Sequence, residues 1–261
     1  MDIPTKSALK KALKKGYLTI NGVIATTATI LYGGEQLCLS IPEEEGGTTK
    51  LILPITILYE DEHLAAIHKP AGILVSGNRL KTIANALPQG LRQSTLPDAT
   101  TPQPVHRLDY ATTGVLLIGK TRSSIRALNR LFEQKAITKT YYAVTIKAIM
   151  PNGEIISAID GKPSRSTYEV EKTVPSERFG FLNLVLLKPQ TGRRHQLRKH
   201  LQSIGNPILG DATYSLENLI LKGKGLYLHA HSLKFTHPFT NKEMFIQDDL
   251  PQKFKRIFHT L

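Results

Sequence analysis

The chain has one cysteine, Cys38, no tryptophan, and only three methionines in 261 residues. A lone thiol cannot form an internal disulfide framework or a cysteine-based zinc cluster, which points to a reducing, cytoplasmic setting. No stretch of 18 apolar residues occurs, and the first residues, MDIPTKSALKKALKKG, lack the apolar core of a secretion signal. Acids are scarce as well. There are 21 Asp and Glu against 34 Lys and Arg, a formal charge of +13. With 41% hydrophobic residues the chain can still bury a full core, and its length suits one large domain with a small companion.

The positive charge is segregated. Lys6, Lys10, Lys11, Lys14 and Lys15 fall in ten residues without an acid, and Lys120 to Lys139 holds six bases against Glu133 alone. Arg178 to Gly210 adds six more with no acid. Three such patches fit a polyanion whose counterions are released on binding, and nucleic acid is the partner this distribution predicts. An ordinary solvated basic surface is the bland alternative.

Periodicity divides the chain into a module at 1–41, a linker at 42–50 and a larger unit at 51–261. The module reads as a basic helix, roughly Thr5 to Lys15, followed by short strands with turns at Asn21-Gly22 and Gly33-Gly34. The linker, PEEEGGTTK, is a charge run with paired glycines and threonines. In the larger unit, helices are expected over 82–87, 121–134 and around 195–204, with strands between them and a further helix at the C-terminal end. Pro88 to Pro104 carries four prolines and no periodicity, and reads as a functional or flexible loop. Strands outnumber helices and many connections are short, which argues α+β with a mixed, mainly antiparallel sheet and flanking helices.

Two motifs carry less than they first suggest. Gly114 to Thr121, GVLLIGKT, satisfies the phosphate-loop pattern, yet VLLI reads as a buried strand and offers no glycine for the turn. His229, His231, His237, His195 and His200 raise a zinc site, but His195 and His200 diverge around a helix and no acid lies near HAHSLKFTH. No metal is expected.

The strongest constellation is His106-Arg107-Leu108-Asp109, followed by a turn ending at Gly114. Asp109 could be a salt-bridged structural acid. Without a second carboxylate beside it, any chemistry would require it to be a lone nucleophile or base held ionised by Arg107 and by Arg193, Arg194 and Arg198 of TGRRHQLRKH.

HRLDYATTG resembles the H-R-L-D-x-x-T-S-G signature of the RluA-type RNA pseudouridine synthases, with Thr113 where serine is usual. IHKPAGILV at 67–75, KTYYAV at 139–144, LKPQTGRRHQLRKHLQSIGNPILGDATY at 187–214 and LHAHSLKFTHP at 228–238 are similar to further blocks of that family, in order. The first of these has His68 where Asn or Asp is common. The resemblance implies a pseudouridine-synthase fold and a cofactor-free isomerisation in which uracil is detached from C1', turned and rejoined through C5. It also assigns roles. Asp109 would be the nucleophile, at C1' or at C6, and Arg107 would fill the space left by a flipped nucleotide, with His106 beside it at the RNA. Tyr141 would stack on the uracil and assist proton removal from C5, and Arg198 would pair with Asp109, with Arg194 as a rival. Arg193 and Arg194 would meet RNA.

The N-terminal module separately resembles an S4 RNA-binding domain that starts almost at its second helix, and this assigns Lys10, Lys11, Lys14 and Lys15 to RNA. Ribosomal RNA is the expected substrate and transfer RNA the alternative; a non-catalytic RNA-binding protein is the reading from another class. The protein is expected to be a monomer without membrane attachment.

Overall fold

The computed structural model describes residues 6–40, 53–221 and 223–258; the expected linker at 42–50 lies outside them. The chain separates into two compact units, residues 1–50 and 51–261.

In the smaller unit, α1 (Lys6–Lys14) precedes β1 (Leu18–Ile20), β2 (Val23–Ile24) and β3 (Leu37–Leu39), an antiparallel sheet in the order β2-β1-β3. Both turns fall where the dipeptides place them. Asn21 and Gly22 have φ of 48° and 82°, and the Asn21 carboxamide accepts from Gln36 N–H to tie the hairpin to the approach to β3. Lys10, Lys11, Lys14 and Lys15 are exposed along and just beyond α1, and Lys15 also lies over the Tyr17 ring.

The larger unit is built on ten strands: β4 (Thr56–Glu60), β5 (Leu64–Lys69), β6 (Ala99–Pro104), β7 (Thr113–Thr121), β8 (Thr138–Ile146), β9 (Asn152–Ile159), β10 (Lys162–Ser176), β11 (Gly180–Pro189), β12 (Leu228–Thr236) and β13 (Glu243–Gln247). Its helices are α2 (Ile83–Gly90), α3 (Arg122–Glu133), α4 (Gln196–Ser203) and α5 (Gln252–Phe258). The main path through the sheet is β4-β5-β7-β12-β8-β11-β10-β9, with β13 on β12 and β6 on β7. Every pairing is antiparallel except β7 with β12. This is the α+β arrangement with a mainly antiparallel sheet that the sequence predicts.

β5 and β7 are buried on both faces, so their side chains divide by period two between two cores. Ala65, Ile67, Leu116 and Ile118 pack with Ile83 and Leu87 of α2; Leu64, Ala66, Val115 and Leu117 pack with Leu128 of α3. The GVLLIGKT segment is therefore central sheet. Lys120 is buried at its end, donating to Glu60 and to the carbonyl of Asp61. Helix starts follow local chemistry: Thr82 accepts from Asn85 N–H, and Thr121 and Ser124 form a reciprocal capping box.

The segment expected to be a loop at 88–104 is partly β6. Its prolines conceal an edge strand, where a missing N–H is tolerated. The preceding residues are tied down by acids: Arg92 N–H donates to Glu60, Thr95 N–H to Glu62, and Ser123 N–H to Asp98. Among the described residues no helix is long and apolar enough to cross a membrane.

Candidate active site

Successive residues of the turn before β7 go to different environments. The His106 ring lies against Phe132, with centroids 4.7 Å apart, and its Nε2 accepts from Leu117 N–H at 2.9 Å. Burial and the nearby Lys139 ammonium push this imidazole down to about 3, so it is neutral. Arg107 is exposed, Leu108 enters the core beside α2, and Asp109 is half-buried. The turn closes with Thr112 N–H donating to the Asp109 carbonyl at 3.1 Å.

Three anchors fix this turn. Lys69, fully buried at the end of β5, donates to the carbonyls of Pro70, Tyr110 and Thr112 at 2.9, 3.3 and 2.8 Å. Burial pushes its ammonium down to about 8, opposed by the charge of Asp109. The Thr113 hydroxyl lies 2.8 Å from His229 Nδ1. Gly114, at φ 119°, sits where β7 pairs in parallel with β12, and a Cβ there would come within 2.1 Å of the Ala230 carbonyl oxygen. Only glycine fits that approach.

The other wall is the turn into α4. Gln196 is buried and uses its whole amide: Oε1 accepts from Thr191 and from Arg193 N–H, and Nε2 donates to the Arg165 carbonyl and to Ser166. His195 precedes it in the left-handed region, φ 55°. One turn on, Arg198 Nη1 lies 3.6 Å from Asp109 Oδ2, while its Nε and Nη2 bind Asp211 at 2.7 and 2.8 Å. Asp211 also accepts from the N–H groups of Thr213 and Tyr214.

These walls enclose a cleft of about 650 Å³ lined by His106, Arg107, Asp109, Tyr141, Arg193, Arg194 and Arg198, which gathers all the residues assigned in the larger unit. Burial and the charge of Asp109 push the Tyr141 phenol well above its ordinary range. Arg193 donates to the Pro163 carbonyl and is exposed, as is Arg194. Lys10, Lys11, Lys14 and Lys15 belong to the smaller unit. Lys69, His195, Asp211 and Tyr214 also belong to the site, and their signal in the sequence lies in HKPAG, in GRRHQ and in GDATY.

The histidines suggested for zinc are used internally. His229 and His231 both donate to the Asp248 carbonyl, His237 pairs with Asp61, and His200 lies against Ser164. Among the described residues no group of three or more His, Cys, Asp or Glu is arranged to hold a metal ion.

A cleft with one aspartate between basic side chains, beside a mainly antiparallel sheet, is the kind of site that can act on a polyanion. Residues 63–203, more than half of the chain, match the family described as RNA pseudouridylate synthase. Ribosomal large subunit pseudouridine synthase C of Salmonella typhi is 34% identical over 98% of this chain and 88% of its own length. Ribosomal large subunit pseudouridine synthase D of Xylella fastidiosa is 32% identical over 90% and 78%. The solved structure of human RNA Pseudouridylate Synthase Domain Containing 4 superposes with a TM-score of 0.63 at 26% identity, covering 78% of this chain and 92% of that one. The fold is that of the pseudouridine synthases. The chain belongs to the RluA-type RNA pseudouridine synthase family, RNA-binding isomerases.

Proposed function

We propose that the protein converts specific uridines of ribosomal RNA to pseudouridine, with Asp109 as the nucleophile on a flipped-out nucleotide. The observation that carries this reading is the convergence of Asp109, Tyr141 and Arg198 in one cleft. The glycosidic bond of a stacked nucleotide is inaccessible, so the base must leave the helix, and exposed Arg107 at the rim is suited to occupy the gap. The cleft is large enough for a nucleotide, and the Tyr141 ring can stack on uracil. A phenol so unwilling to ionise is a stacking surface before it is a base.

The reaction is balanced without a cofactor. The N1–C1' bond breaks, the base turns, C5 bonds to C1', and the proton leaving C5 is matched by one gained at N1. Arg198 pairs with Asp109, Arg193 and Arg194 meet backbone phosphates, and His106 sets the turn that presents Arg107 and Asp109. The smaller unit acts as an S4-like RNA-binding module through Lys10, Lys11, Lys14 and Lys15.

Ribosomal RNA is favoured because both bacterial relatives carry the ribosomal large subunit in their names. The test is pseudouridine mapping across ribosomal and transfer RNA from cells with and without the protein. Loss of sites in large-subunit RNA is expected, and loss confined to transfer RNA would overturn the substrate assignment.

A further inference from the structure

Asp109 has a second partner. His195 Nε2 lies 3.8 Å from Asp109 Oδ1, on the carboxylate oxygen that Arg198 does not face. The ring cannot drift, because Nδ1 lies 2.9 Å from the Tyr214 hydroxyl and the backbone at His195 is left-handed, a conformation a non-glycine residue keeps only when its surroundings impose it. Tyr214 also lies under the other partner, with the Arg198 guanidinium 4.9 Å from its ring centroid. A single aromatic side chain thus touches both groups that face the carboxylate, and its own backbone N–H is held by Asp211.

We propose that His195 is a positioning residue of the isomerisation: with Arg198 it brackets the Asp109 carboxylate, and Tyr214 fixes both brackets. This rests on the reading of Asp109 as the nucleophile. In the neutral ring the adjacent carboxylate favours the proton on Nε2, so that N–H faces Oδ1 at 3.8 Å while Tyr214 donates to Nδ1. One oxygen then belongs to the imidazole and the other to the guanidinium, and the plane of the carboxylate is set before substrate arrives. Misplacing a nucleophile by about 1 Å costs on the order of a hundredfold in rate.

The bracket is also sensitive to protonation. The groups facing the imidazole are Asp109 and Tyr214, with Arg198 and Lys199 on α4 and Arg194 just before it. Burial lowers the affinity of His195 for a second proton, opposed by Asp109 and aided by the three cations. It is therefore neutral at pH 7. Protonated, it would hold Asp109 between two cations and blunt its attack, so turnover should rise with pH through a midpoint below 6.5.

The experiment compares kcat, KM and the pH profile of wild type with His195→Ala, His195→Gln and Tyr214→Phe, using ribosomal RNA from cells lacking the protein. His195→Ala should lose roughly a hundredfold in kcat with little change in KM. His195→Gln, which donates but does not ionise, should recover part of that rate and lose the histidine-dependent acid limb. Tyr214→Phe keeps the ring under Arg198 and should lose less. If His195→Ala does not fold, the profile of His195→Gln decides. A wild-type pH profile in His195→Gln, or a loss confined to KM, overturns the inference. Wild-type protein that converts no uridine overturns instead the functional reading of the site.

Discussion

Arg198 binds Asp211 through two of its three guanidinium nitrogens and leaves the third, Nη1, facing Asp109 at 3.6 Å. Asp211 is fully buried, and Arg198 holds its carboxyl below the usual carboxylate range against the opposing effect of burial. The bidentate pair therefore aims the guanidinium as well as neutralising it. Asp211→Asn would leave a buried guanidinium without its bidentate carboxylate, with only the more distant Asp109 charge facing it, at a cost of roughly 3 kcal/mol in stability. It should also lower kcat with little change in RNA affinity. Urea unfolding and single-turnover assays check the two effects separately. Arg198→Lys should not rescue, since an ammonium cannot hold Asp211 with two parallel bonds and still present a nitrogen to Asp109.

Lys69 acts on the same residue from beneath. Its ammonium gathers the carbonyls of Tyr110 and Thr112, one and three residues after Asp109. Lys69→Met keeps the length of the side chain and removes the donors, at about 1–3 kcal/mol for each buried acceptor left without a partner. The expected result is a folded but less stable protein with a large loss of kcat and near-normal RNA binding, measured by filter binding beside turnover.

Gly114→Ala tests the close parallel pairing of β7 and β12. The added methyl would meet the Ala230 carbonyl oxygen, at a positive φ that alanine resists. A loss of about 3 kcal/mol or more in unfolding free energy is expected. An unchanged unfolding midpoint would show that this junction is looser than described.

Two neutral histidines, His106 and His229, make stability depend on pH. His106 is pushed down to about 3 and His229 to about 4, both chiefly by burial. An unfolded chain takes up these protons below about pH 6.5 and the folded chain does not. Stability is therefore complete above that value and declines as pH falls toward 4, by up to ~1.4 kcal/mol per pH unit for each histidine. Urea midpoints between pH 7.5 and 5 should show the decline. His106→Gln, which can still accept from Leu117 N–H, should make it shallower.

Much of this architecture is legible in the residues. The strand character of Gly114 to Thr121 and the helix after it follow from apolar runs and a Thr-x-x-Ser cap, and the turns of the smaller unit follow from Asn-Gly and Gly-Gly. β6 was hidden because an edge strand need not alternate and can carry Pro102 and Pro104. β9 and β13 leave only weak patterns in the residues because they are half-exposed, with Ile156 and Phe245 facing solvent. At the site, Asp109, Tyr141 and Arg198 could be assigned through family blocks, whereas the partnership of Asp211 and Tyr214 with Arg198 depends on a turn that no spacing rule predicts. In the sequence His195 stands as one of five histidines raised for zinc and set aside. Its left-handed backbone, which turns the ring toward Asp109, cannot be read from composition or periodicity.

In the proposed isomerisation Asp109 attacks a uridine whose C5 becomes the new glycosidic carbon. The hydrogen on C5 must then leave, so RNA carrying tritium at uracil C5 releases label to water as it is converted. Wild-type protein incubated with such ribosomal RNA, prepared from cells lacking the enzyme, should release one tritium for each pseudouridine formed. Asp109→Asn, similar in size and uncharged, should fold, bind RNA and release none. Release by that variant at the wild-type rate would contradict the account.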